Sequence, residues 1–179
     1  MTEPQIVLDF WFNELTPQQW FNGDEADRLI AERFATLHQQ ATAGELCAWR
    51  ETIHGRLAEI IVLDQFSRNL FRHSAKAFAA DGMALVLAQE ALKDPQLTDL
   101  STTELGFLYL PFMHSESLLI HEQALRLFAQ PGLEESLNYE KRHLAILERF
   151  GRYPHRNQAL GRQSTDEERT FLTQPDSSF

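Results

Sequence analysis

Three stretches of this 179-residue chain place polar side chains where a helical core would not. The first is Asp64, Gln65, Arg68, Asn69 and Arg72, which follows the apolar residues Ile53, Leu57, Ile60 and Ile61. At 100° per residue Asp64 and Arg68 continue the apolar stripe, so both are expected to point inward or into a cleft. Their i,i+4 spacing suits a structural ion pair, and the same two charges suit a binding site. Arg56 and Glu59 mark the solvent side of the earlier turns, yet that side later carries Leu63, Phe66 and Leu70. Either the helix bends near Ser67 or a polar stripe is enclosed by protein.

The second stretch is His114-Ser115-Glu116, with His121 seven residues beyond the first histidine. On one continuous helix the two histidines would share a face about 10 Å apart, too far to chelate one ion. No H-E-x-x-H pattern and no Cys/His grouping occurs, so no metal site is expected. His114 and Glu116 suit proton transfer, since a histidine and a partly buried carboxylate both exchange protons near neutrality. A helix junction held by hydrogen bonds would use the same residues.

Arg149, Arg152, His155, Arg156, Asn157 and Arg162 make up the third stretch, which has no Asp or Glu between residues 149 and 165. In a protein of net charge −10 this is a local reversal. Guanidinium groups take up carboxylate or phosphate through paired hydrogen bonds, and a loop with Gly151 and Pro154 can aim several at one point. The competing reading pairs these arginines with acids on other helices. His143, on the stripe Tyr139, His143, Ile146, Phe150, is expected to face inward. Trp11, Phe12, Trp20 and Phe21 are expected to close the core, with an aromatic wall beside a ligand as the alternative.

Composition narrows the function classes. An apolar share of 43% with 13 Phe supports one well-filled core, and the length fits one domain. The net negative charge argues against nucleic acid and against anionic membrane as partners. Cys47 has no partner for an internal disulfide and reads as a small buried hydrophobe in a reducing cytoplasm. The N-terminus lacks a basic, cleavable leader, and the longest apolar run, Phe107 to Met113, is too short to span a bilayer. There is no G-x-G-x-x-G, Walker loop or G-x-S-x-G, so no nucleotide cofactor or serine-hydrolase chemistry is indicated.

Helical elements must position these groups. Capping patterns at Thr16/Gln19, Asn22/Glu25, Ser101/Glu104 and Ser164/Glu167 mark helix starts, and Gly44, Asp94-Pro95, Pro131-Gly132, Gly151 and Gly161 mark stops. The spacing predicts helices over 4–13, 24–43, 51–66 or beyond, 75–93, 102–129 with a bend before Pro111, 134–150, 155–160 and 165–172. Short loops make neighbouring helices antiparallel. The expected architecture is all-α, one domain over residues 1–172, with the polar tail 173–179 frayed.

At these residues the chain resembles the bacterial domain-of-unknown-function family 924. The resemblance runs from Val7-Leu8-Asp9-Phe10-Trp11-Phe12 to Thr165-Asp166-Glu167-Glu168. Its most specific parts are Leu63 to Arg72, Ala77-Phe78-Ala79-Ala80-Asp81, Tyr109 to Glu116 and Arg149 to Asn157. It implies a TPR-like fold, antiparallel helix pairs stacked as a right-handed superhelix, and it implies no reaction. The chain departs from the family pattern with Ser67 for Pro, His73 for Gly and His121 for Gln, which counts against a sharp kink at 67 and against an essential His121.

The leading functional expectation is a pocket for a small anionic ligand, carboxylate or phosphate, built from Asp64, Arg68, Asn69, Arg72, Arg149, Arg152, Arg156 and Asn157. A catalytic version would have Arg152 and Arg156 hold the anion while His114, Glu116 or His155 moves a proton. The alternative is a TPR-like adaptor that holds a peptide in its concave groove.

Overall fold

The computed structural model describes residues 3–21 and 23–178; Asn22, one of the expected capping residues, lies outside them. Among the described residues the regular structure is entirely helical. In chain order the α-helices are α1 (Pro4–Asp9), α2 (Pro17–Phe21), α3 (Asp24–Thr42), α4 (Ile53–Ile61), α5 (Ser67–Leu70), α6 (Asp81–Ala91), α7 (Thr102–Met113), α8 (Leu118–Phe128), α9 (Glu134–Phe150) and α10 (Asp166–Leu172).

Several ends follow from the local chemistry. At the start of α7, Ser101 accepts from the Glu104 amide while the Glu104 carboxylate accepts from the Ser101 amide. The same box opens α10, one residue later than expected, on Thr165 and Glu168. Gly151 ends α9 at φ 69°, a left-handed turn that favours glycine. Gly55 answers a different need, because a Cβ there would lie 1.9 Å from the Trp49 carbonyl oxygen. The break in the expected 102–129 helix falls after Pro111, not before it: α7 carries Pro111 in its last turn and ends at Met113. His73, where the family pattern has glycine, takes φ 62°.

Two π-helical segments were not visible in the 3.6-residue period. Phe10–Glu14 continues α1, and Val62–Phe66 joins α4 to α5. Each inserts the equivalent of one residue into the helical ladder and so rotates everything after it. That rotation explains why the polar face changes sides near residue 64. All residues from Ile60 to Ser67 are buried, so the polar stripe is enclosed by protein. Glu59, expected on the solvent side, is fully buried and held bidentately by Arg50 at 2.6 and 2.7 Å.

The core centres on Phe10, Trp11, Phe34 and Phe66, whose rings lie 4.9 to 6.1 Å apart. Around it α1 packs on α4, α3 on α5, and α6 between α4 and α7. The α7–α8–α9 series extends from there, each helix against the next. His143 is buried as expected, whereas Tyr139 on the same stripe is exposed. Cys47, expected to be buried, is exposed. Within the tail, Asp176 pairs with Arg142 and Ser177 is buried.

Candidate functional site

Asp64 lies within the π turn Val62–Phe66 and points into the protein, where its side chain is 1% exposed. Three other elements meet it there: the first residue of α6, Asp81; the last turn of α7 with His114; and the short 3-10 turn Pro154–Arg156. Asp64 Oδ1 lies 2.7 Å from His114 Nδ1 and 3.2 Å from Arg68, while its Oδ2 accepts from Gln65 at 2.6 Å. Arg68 donates more closely to both Asp81 oxygens, at 2.9 and 3.0 Å, and to the Asp64 carbonyl at 2.8 Å. Arg156 reaches Asp81 at 3.3 Å and the His114 carbonyl at 2.9 Å. Its guanidinium lies over the rings of Phe78 and Tyr153, 4.6 and 4.7 Å from their centroids.

Electrostatics fix the protonation states. Burial works to raise the Asp64 carboxyl, but the Arg68 charge and the hydrogen bonds from His114 and Gln65 outweigh it and hold it below the usual carboxylate range. Burial, helped by Arg68, pushes His114 down and keeps it neutral at pH 7. An ionised Asp64 can only accept, so the His114 proton sits on Nδ1 and the lone pair on Nε2. Nε2 has no hydrogen-bond partner among the described residues, and the side chain is 15% exposed. The Asp–His pair therefore presents a base at the edge of the cluster.

A second network adjoins the first. Glu116 takes both terminal nitrogens of Arg162, at 2.7 and 2.9 Å, and the Tyr153 amide at 2.7 Å. Arg162 also donates to Asn157, which donates to Glu168; Arg152 holds both Glu168 oxygens at 2.7 and 2.8 Å. Despite its burial, Arg162 and the Tyr153 amide hold the Glu116 carboxyl below its ordinary value, which favours a structural anion over an acid that gives up a proton near neutrality. Buried His121 bonds Glu140 at 2.5 Å through Nδ1, and through Nε2 meets the Ser115 carbonyl and the Tyr153 hydroxyl.

The structure thus brings Asp64, Arg68, His114 and Arg156 together, with Glu116, Asn157 and Arg152 in the neighbouring network. His155, between them in sequence, lies beside Tyr153 at 5.6 Å, and burial pushes its imidazole down to about 4. Asn69 and Arg72 are turned elsewhere: both bond Asp27 of α3. Arg149 pairs with Glu167 at the surface.

Sequence reasoning missed Asp81, which binds both central arginines, and Phe78 and Tyr153, whose rings contact Arg156. Asp81 and Phe78 were signalled only by the specific run Ala77–Asp81 and Tyr153 only by the run Arg149 to Asn157, since an acid at a helix start otherwise reads as an ordinary N-terminal charge. Two surface clefts lie away from the cluster. One of about 520 Å³ runs beside Phe12, Trp20 and Glu104, and one of about 310 Å³ runs beside Leu97, Tyr109 and Leu127. Among the described residues no His, Cys, Asp and Glu grouping has the form of a metal site, and no helix is long and apolar enough to cross a membrane.

Residues 7–176 match the family described as bacterial protein of unknown function (DUF924), and the chain belongs to that family. The solved structure of a protein of unknown function from Agrobacterium tumefaciens, ATU0120, superposes with a TM-score of 0.89 at 38% identity, over 94% of this chain and 96% of that one. No curated protein matches the chain.

Proposed function

We propose that this member of the DUF924 family binds a small anion, a carboxylate or a phosphate, at the Asp64–His114–Arg68–Arg156 cluster. The observation that carries the reading is the state of Arg156. It is only 6% exposed, its Nε has no hydrogen-bond partner, and its one carboxylate contact is to an Asp81 already engaged bidentately by Arg68. Burial pulls the pKa of this guanidinium down, so the cation sits in a place that disfavours its charge. An anion that reaches the unpaired, buried Nε relieves that cost and gains a charge-assisted hydrogen bond.

His114 Nε2 gives the site its chemistry. Neutral and held by Asp64, it would accept a proton from a hydroxyl or an acidic C–H of the bound ligand. The other arginines of the acid-free stretch serve in this reading as supports, since Arg152 and Arg162 each hold an acid of their own. A cytoplasmic location suits the unpaired, exposed Cys47. The TPR-like adaptor is the alternative; it would need a groove continuous across helix pairs, and the two clefts beside Trp20 and Tyr109 are local.

Thermal melts in phosphate, acetate and chloride at matched ionic strength test the proposal. The wild type should gain about 2 to 3 kcal/mol from the bound anion when it stands near 100-fold above its Kd. Arg156→Gln should lose that specific gain. Arg152→Gln should lower the melting temperature in every salt and keep the gain, because its partner is Glu168. Equal anion responses in wild type and Arg156→Gln would sink the reading.

A further inference from the structure

The larger cleft differs from the arginine cluster in every chemical respect. Its walls include two carboxylates, Asp9 and Glu104, and no Lys or Arg; His54 is its sole basic lining residue. Two aromatic rings, Phe12 and Trp20, form a corner with centroids 6.2 Å apart and planes at 78°. Both rings are held from behind by Phe107, at 5.5 and 4.9 Å in edge-to-face contact, and the Trp20 indole N–H is tied to the Trp11 carbonyl at 2.7 Å. The corner is therefore fixed before any ligand arrives.

The backbone here is unusual as well. Phe10–Glu14 is the first π-helical segment, closed by the Leu15 amide on the Phe10 carbonyl at 3.1 Å. It keeps Phe10 and Trp11 fully buried while placing Phe12 and Asn13 on the cleft wall. A π turn gives up regular α-helical packing and recurs where a side chain must be re-aimed. The carboxylates keep acceptor capacity. Asp9 takes Gln5 and Asn13 on one oxygen, Oδ1. Glu104 takes the Ser101 amide and hydroxyl on Oε2, with Oε1 4.0 Å from His54.

We propose that this cleft is a second binding site, for an organic ammonium ion, with the cation against the Phe12–Trp20 corner and its charge met by Asp9 and Glu104. Aromatic faces attract a weakly hydrated cation, and neighbouring carboxylates add Coulomb attraction. An anion would meet two carboxylates and no fixed positive charge. The volume of about 520 Å³ lies in the range of small-molecule sites and leaves room for substituents beyond an ammonium head. The net charge of −10 adds a long-range pull on a cation.

Calorimetric titration of the full chain with choline, and with 3,3-dimethylbutan-1-ol as its neutral carbon isostere, tests this at matched ionic strength. Choline should bind saturably and the isostere about 10-fold more weakly, the value of about 1.4 kcal/mol of charge-dependent attraction. The double variant Asp9→Asn, Glu104→Gln should weaken choline by at least a similar factor. Both substitutions keep the size of the side chain, and Gln still accepts from the Ser101 amide, so the cap of α7 survives. Phe12→Leu should weaken choline and lower the melting temperature modestly, because it removes ring contacts with Trp20 and Phe107 from a partly buried position. No saturable choline binding overturns the proposal. So does equal binding of the neutral isostere, which would mark a plain apolar or polyol cleft, and so does full retention of choline affinity in both variants.

Discussion

The central and C-terminal arginines solve the same problem of charge in opposite ways. In the C-terminal network each arginine has an acid to itself: Arg149 with Glu167, Arg152 with Glu168, Arg162 with Glu116. In the central cluster the acids are shared, Asp64 between His114 and Arg68, and Asp81 between Arg68 and Arg156. The difference lies in burial. Arg149–Glu167 is open to water, and Arg152 and Arg162 keep 29% and 23% of their side-chain exposure although Glu168 is itself buried, so an exclusive acid balances each cation. Asp64 and Arg156 keep only 1% and 7% and depend on every member of the cluster staying in place. A segment free of acid along the chain is thus well supplied with acid in space, and a pair that looked self-sufficient in sequence, Asp64 with Arg68, is one part of a five-group network.

Removing the buried acid should break the comparison most strongly. Asp64→Ala leaves Arg68 with a reduced counter-charge and His114 Nδ1 without an acceptor. The expected loss is about 3 to 5 kcal/mol, against about 1 kcal/mol or less for an exposed pair. Denaturant melts read it directly, and a loss below about 0.5 kcal/mol would show that the cluster is wet and that the contrast between the two regions is false.

Acid should sharpen the comparison by a smaller amount. Burial pushes His143 down to about 3 and His155 to about 4, while both titrate near 6.5 when unfolded. Between those limits the unfolded chain binds more protons than the folded one, so stability is complete above pH 6.5 and falls as the pH drops toward 4. From pH 6.5 to pH 5 each histidine costs up to about 2 kcal/mol. His155 stands beside the central cluster and feels Arg156 and Arg68, so His155→Gln should flatten the acid side of the stability profile. A profile unchanged in that variant would remove His155 from the cluster's electrostatics.

Much of the scaffold was legible because helix ends are local chemistry. The box at Ser101 and Glu104 and the left-handed glycines at 44, 132, 151 and 161 stand where the expected starts and stops fall. The inward placement of Asp64 was legible from the 100° rule. What failed was the assumption of one uniform period. The π turn at Val62–Phe66 shifts the phase, and nothing in residue type marks such a turn. Partners distant in sequence were equally hidden: Asp27 lies 42 and 45 residues from Asn69 and Arg72. Asp81 and Glu168 lay behind a different veil, since an acid in a first helical turn already has a local reason to be there. The aromatic cleft was half visible, with Phe12 and Trp20 set apart in the sequence but without Asp9 and Glu104 beside them.

The smallest expected effect is the most specific check on the C-terminal side of the comparison. Arg149 and Glu167 retain 47% and 62% of their side-chain exposure, and the guanidinium also lies over Phe150 at 4.7 Å. In water an ion pair of this kind contributes about 0 to 1 kcal/mol, and the ring contact adds about 0.5 to 1 kcal/mol. Arg149→Lys keeps the charge and loses the flat stack; Arg149→Ala loses both. Melts should therefore place Arg149→Ala below the wild type by about 1 kcal/mol, with Arg149→Lys between them. Raising the salt should shrink the charge-dependent part and leave the stacking part. A loss from Arg149→Ala as large as that from Asp64→Ala would mean that the outer arginines carry buried charge too, and the two regions would then differ in sequence position alone.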